Sequence, residues 1–139
     1  MFRLLSGLTF VAESGPEDTV IRNDRFWVVK ADGVDSTTVI EGFKLDGVKA
    51  AEGVVYAENA QLTVRNCVIR DCSADIGGGL YAERFSEGMT LSDCVIRNNL
   101  ARGCGGGIHF DRGHPDYTIN VVDCVIRDNV ANGYALHYP

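Results

Sequence analysis

The sequence predicts an all-β solenoid, a right-handed parallel β-helix of roughly four to five coils, on three observations. The first is an internal repeat: Cys-Val-Ile-Arg occurs at Cys67–Arg70, Cys94–Arg97 and Cys124–Arg127, spaced 27 and then 30 positions apart. The second is its period. Counting from each cysteine, the residues five and three before it (Leu62/Val64, Met89/Leu91, Ile119/Val121) and two after it (Ile69, Ile96, Ile126) are apolar, with Thr63, Thr90 and Asn120 between. A period of two belongs to strands. The third is the punctuation: a polar corner follows each such strand (Asp71-Cys72-Ser73, Asn98-Asn99-Leu100, Asp128-Asn129-Val130), then a bend that in two copies is a glycine trio. Leucine-rich repeats of similar length need a consensus that is absent here, and a propeller blade needs about 40 residues.

In chain order, residues 1–37 read as an N-terminal cap and first irregular coil, and 38–139 as regular repeats, all in one domain spanning 1–139. Leu5 to Val11 is expected to be a strand or cap. Thr38–Leu45 is a diverged copy of the repeat with Phe43 in the cysteine column, and Val54-Val55-Tyr56-Ala57 is its second strand. The later second strands are Gly79–Ala82, Gly107–Phe110 and Ala135–Tyr138, with length differences absorbed in loops 84–88 and 112–117. Parallel stacking repeats each column about every 4.8 Å, so Phe43/Cys67/Cys94/Cys124 and Leu45/Ile69/Ile96/Ile126 become inward ladders.

Composition sets limits on function. The chain of 139 residues is 45% hydrophobic and 23% charged, ordinary for a globular domain. Its net charge of −6 argues against nucleic acid as a partner, since phosphate backbones require a positive footprint. No apolar run approaches the roughly 18 residues of a membrane-spanning helix, so no membrane partner is expected. The start, Met1-Phe2-Arg3 followed by Leu4 to Ala12, imitates a signal peptide, but Ser6, Gly7 and Thr9 dilute it. Phe10 also occupies a cleavage-site position that requires a small residue. No export signal is read, and the chain as it stands is expected in the cytoplasm.

Gly33-Val34-Asp35-Ser36-Thr37-Thr38-Val39-Ile40-Glu41-Gly42-Phe43, followed by Asn-Cys-x-Ile and Gly-Gly-Gly-[Leu/Ile]-[Tyr/His] units, resembles the pectate-lyase-like β-helix region. Such regions occur in bacterial surface proteins, among them the polymorphic outer-membrane proteins. The likeness covers about residues 20–139. It implies the fold and leaves function open, because that superfamily includes lyases, hydrolases and adhesins.

Several columns could carry chemistry. The cysteines alternate with core residues and share a column with Phe43, so they read as buried apolar packing and not as a metal or redox site. Cys72 and Cys104 have no CxxC partner, no metal spacing is present and no cofactor is expected. Three unpaired buried thiols fit a reducing compartment. Arg70, Arg97 and Arg127 stack outward beneath Asp46; they either pair with Asp71, Asp93, Asp123 and Asp128 or hold an anionic ligand such as a uronate chain by bidentate contacts. Tyr56, Tyr81, His109 and His137 form an outward file that is either plain sheet surface or a sugar-stacking strip. Asn99 and Asn129 read as a corner ladder satisfying backbone amides. The trios Gly77–Gly79 and Gly105–Gly107 lack the Lys-Ser/Thr and helix of a phosphate loop and read as corner glycines.

Two functions follow from these columns. One is a non-enzymatic binding or interaction module derived from a bacterial surface-protein family, with carbohydrate as its candidate ligand. The alternative is a carbohydrate-active enzyme of polysaccharide lyase or glycoside hydrolase type, for which no catalytic constellation can be assembled from the spacings. Val68, Val95 and Val125 face outward one residue after each cysteine. With a last strand left uncovered by any amphipathic helix, they predict a homodimer.

Overall fold

The computed structural model describes residues 2–47, 50–84, 88–111 and 118–133. The first coil contains β1 (Phe2–Leu4), β2 (Thr9–Val11) and β3 (Val20–Asn23). The second contains β4 (Val29–Asp32), β5 (Val39–Glu41), β6 (Lys44–Gly47) and β7 (Ala50–Glu52). The third contains β8 (Val55–Glu58), β9 (Thr63–Arg65), β10 (Val68–Arg70) and β11 (Ser73–Ile76). The fourth contains β12 (Leu80–Glu83), β13 (Thr90–Ser92), β14 (Val95–Arg97) and β15 (Leu100–Ala101). The fifth contains β16 (Ile108–Asp111), β17 (Asn120–Val122), β18 (Val125–Arg127) and β19 (Val130–Ala131). Strands at matching places in successive coils pair in parallel, giving four sheets: β1-β4-β8-β12-β16, β2-β5-β9-β13-β17, β3-β6-β10-β14-β18 and β7-β11-β15-β19. Among the described residues there is no α-helix, and none is long and apolar enough to cross a membrane.

The register is the one the repeat dictates. Ile69 pairs with Leu45 and Ile96, and Ile96 with Ile126, so the column of isoleucines stacks as expected. Cys67, Cys94, Ile69 and Ile96 are buried. Ile126 continues the column but is 48% exposed, because among the described residues no strand stacks beyond β18. The stretch expected to be a cap and irregular coil holds the whole first coil, whose β1, β2 and β3 enter three of the sheets with Ile21 pairing with Leu45, and also β4 of the second coil. The first coil differs from later coils in placing no described strand in the fourth sheet.

Two differences from the sequence reading have physical causes. What reads as one strand is two, in different sheets. In the fourth coil Leu91 points in, Ser92 out, Asp93 turns the corner at φ 53°, and Cys94 points in again. A left-handed residue there turns the chain while keeping the next side chain inward, and Asp, Asn and Gly tolerate that conformation best. The corner column holds Gly42, Asn66, Asp93 and Asp123, all at positive φ. A second such corner, Asp71, Asn98 and Asp128, leads into the fourth sheet, whose strands read in sequence as part of the polar corner. The glycine trios close the coil as corner glycines, but only Gly77 and Gly105 of the six have positive φ. The others are required by closeness: a Cβ on Gly78 would lie 2.3 Å from the carbonyl oxygen of Gly106 in the next coil. The Ala135–Tyr138 strand and the 112–117 loop lie outside the described residues.

Candidate functional site

The outer face of the third sheet carries two files. One is Val20, Lys44, Val68, Val95 and Val125; the other, two residues further along each strand, is Arg22, Asp46, Arg70, Arg97 and Arg127. The valine file is less open than its alternation implies. Val68 and Val95 are half-buried and Lys44 interrupts the file, while Val20 and Val125 are each 50% exposed. Like charges stacked at strand spacing destabilise unless anions intervene, and the arginines fall into two groups on that test. The buried Asp46 carboxylate lies 2.6 Å from Arg22 and 3.9 Å from Arg70, and it holds the Arg22 guanidinium above its ordinary value. Arg70 Nε is 3.3 Å from Asp71 Oδ2, yet that nitrogen is buried without an aligned acceptor. Arg127 pairs with Asp128. Arg97 is half-buried and has no ion pair among the described residues, because the corner residue beside it is Asn98 where its neighbours have Asp71 and Asp128. Asp93 and Asp123, expected as partners, turn the other corner and pair with none of these arginines among the described residues.

The aromatic file lies on the outer face of the first sheet, in the register Lys30, Tyr56, Tyr81, His109. It is not the exposed strip that alternation implies: Tyr56 and Tyr81 are only 6% and 5% exposed. The rings cover one another. Trp27 stacks on Tyr56 at 5.1 Å, Tyr56 lies 5.8 Å from Tyr81, and Tyr81 lies 5.5 Å from His109. Lys30 Nζ caps the Trp27 and Tyr56 rings at 4.9 and 5.3 Å. Beside the rings runs an acidic file that the sequence reading missed, Asp32, Glu58, Glu83 and Asp111. The Tyr56 hydroxyl donates to Glu58 (3.1 Å) or Glu83 (2.9 Å), and that of Tyr81 to Glu83 (2.8 Å) or Asp111 (3.4 Å). Arg84 closes the row at 2.7 Å from Glu58. Burial first, then these carboxylates, push both phenols well above their ordinary range. The signal was present in sequence: an acid two residues after each ring, as in Tyr56-Ala57-Glu58 and Tyr81-Ala82-Glu83. Ring faces spent on each other leave mainly edges for a ligand. His137 lies outside the described residues.

Inside, the cysteines and asparagines form ladders. Cys67, Cys94 and Cys124 are free thiols. Each Sγ faces the carbonyl two residues before it, at 3.3, 3.2 and 3.3 Å. Each also faces a carbonyl of the preceding coil, Ile40, Val64 and Leu91 respectively. Interaction with the neighbouring Cys94 thiol lowers that of Cys67, and the same interaction with burial raises that of Cys94. Asn99 Oδ1 accepts from Cys72 N–H at 3.1 Å while its Nδ2 donates to Ile69 O at 3.1 Å. Asn129 repeats this one coil on, with Asn99 N–H at 3.0 Å and Ile96 O at 2.9 Å. No group of three or more His, Cys, Asp or Glu side chains converges to hold a metal among the described residues.

Parallel strands in register, an apolar core running along the stack and ladders of like residues define a β-solenoid. The chain belongs to the right-handed β-helix family, whose model, the right handed beta helix region, matches residues 14–138. No curated protein and no solved structure matches it.

Proposed function

We propose that this β-helix is a non-enzymatic binding module whose ligand is a linear acidic polysaccharide, held along Arg70, Arg97 and Arg127. The observation that carries the reading is Arg97, a guanidinium between two others with no carboxylate of its own among the described residues. A uronate carboxylate offers it the bidentate partner that Asn98 cannot. The net charge of −6 repels polyanions elsewhere on the molecule, so the arginine file is a local exception and a basis for selectivity. The resemblance to pectate-lyase-like repeats is consistent with that ligand class.

Magnitudes decide the form of the ligand. One solvent-exposed ion pair is worth about 0.2–1 kcal/mol, too little to bind a monosaccharide. A chain that engages successive coils gains from connected contacts, so affinity should rise with chain length. Calorimetric titration of oligogalacturonates of increasing length, against methyl-esterified counterparts, tests this. Binding that grows with length, fails for the ester and is lost in Arg97→Ala is expected. Equal binding of the ester, or unsaturated products formed with calcium, would overturn it, the latter in favour of a lyase. The valine file shares this face, so self-association through Val68, Val95 and Val125 would cover the arginines. Light scattering at micromolar concentration should therefore show a monomer once ligand saturates; a dimer persisting there contradicts the assignment of the face to ligand.

A further inference from the structure

One residue divides the arginine file. On the third sheet the register runs Arg22, Asp46, Arg70, Arg97, Arg127, so a carboxylate stands where the coil before and the three coils after have a guanidinium. The Asp46 side chain is only 6% exposed, and its Oδ2 lies 2.6 Å from Arg22 and 3.9 Å from Arg70. Arg22 is thus drawn onto a carboxylate of its own chain. The other cation of the second coil on this face is occupied too: Lys44 is half-buried, its Nζ 3.8 Å from the Glu17 carboxylate and 3.5 Å from the Glu17 carbonyl oxygen. Arg22 and Lys44 therefore have Asp46 and Glu17 as internal partners, whereas Arg97, two coils beyond Asp46, has no carboxylate among the described residues.

We infer that Asp46 is the stop of the binding face: an acidic chain engages Arg70, Arg97 and Arg127 and goes no further toward the first coil. This rests on the acidic-polysaccharide reading of that face. A ligand carboxylate continuing past Arg70 would stand about one strand spacing, roughly 4.8 Å, from that of Asp46, and like charges so placed repel. It would also have to displace Asp46 from Arg22, and Asp46, already held in place by burial, loses little freedom by pairing there. The same carboxylate grades the contacts within the face, since it draws on Arg70 from the preceding coil and leaves Arg97 the freest. Affinity should therefore rise with ligand length only until the three arginines are spanned.

The test follows the Nε–H signals of Arg22 and Arg97 by NMR while a long oligogalacturonate is added to the full chain and to Asp46→Asn, which keeps the side chain's shape and removes its charge. In the unaltered protein Arg97 is expected to shift and Arg22 to stay. In Asp46→Asn both are expected to shift, with affinity for the long oligomer raised by about fivefold, one further exposed ion pair's worth. Arg22 shifting together with Arg97 in the unaltered protein, or staying still in Asp46→Asn while Arg97 shifts, would overturn the stop and leave the binding face standing. No shift at Arg97 in the unaltered protein would overturn the binding face and the stop with it. Circular dichroism checks that Asp46→Asn folds; where it does not, Arg22 in the unaltered protein decides, still supporting the stop and shifting contradicting it.

Discussion

Asn99 is a polar side chain only 1% exposed beside an apolar core, and its hydrogen bonds explain why it is tolerated. Its amide answers the Cys72 N–H and the Ile69 carbonyl at a corner where the chain has left one sheet and not yet entered the next. Asn99→Ala leaves the Cys72 N–H buried and unpaired, at about 1–3 kcal/mol, and removes one of the bonds to the Ile69 carbonyl, which keeps its place in the strand ladder. A loss on the order of 3 kcal/mol is expected in urea denaturation, with about 1 kcal/mol for the half-buried Asn129→Ala. Cys72 occupies the same column one coil earlier, where burial pushes its thiol up to about 12 from 9.0. The folded-state value is the higher one, so the stability linked to this proton is present below pH 9 and lost as pH rises toward 12. Cys72→Ala should flatten that alkaline decline when denaturation midpoints at about pH 8 and about pH 11 are compared. The asparagine ladder was legible from its repeat position. The acidic file beside the tyrosines was not singled out, because exposed carboxylates at strand ends are common on any sheet and their partners are set by the stacking.

At the scale of the element, the strands are only two to four residues long, so corners determine the coil as much as strands do. Inward spacing already signals the corner: a step of three from Val64 to Cys67 or Leu91 to Cys94 breaks a strict period of two. Reading through that step merged the second and third sheets into one strand. The fourth sheet escaped because Ser73–Ile76 and Leu100–Ala101 are too short and mixed to show alternation. If Asp93 is chosen for its φ of 53°, Asp93→Gly should change stability little, and the β-branched Asp93→Val should cost about 1–2 kcal/mol. Gly78→Ala is a harsher test, since its methyl would lie 2.3 Å from the Gly106 carbonyl oxygen. Loss of cooperative thermal unfolding is expected there; a native-like transition would mean that neighbouring coils can separate.

The whole molecule is a one-dimensional stack in which each coil supports only its neighbours. One column can therefore show different costs at different levels. Ile96→Ala, fully buried between β10 and β18, should cost about 2–5 kcal/mol, whereas Ile126→Ala, 48% exposed, should cost well under half of that. Equal costs in urea denaturation would mean that the fifth coil is as covered as the fourth. The stack also decides what the outer faces can offer. On the first sheet, stacking closes the aromatic rings on one another; on the third, it leaves Arg97 between two arginines without a carboxylate among the described residues. Alternation alone could not separate those outcomes, since both files point outward and only neighbouring side chains decide which is covered. The most direct measurement is NMR of the arginine Nε–H groups and the Trp27 indole N–H during titration with a long oligogalacturonate. Shifts at Arg97, with smaller ones at Arg70 and Arg127 and none at Trp27, are expected. Shifts confined to Trp27, or none at saturating ligand, would contradict a binding face on the third sheet.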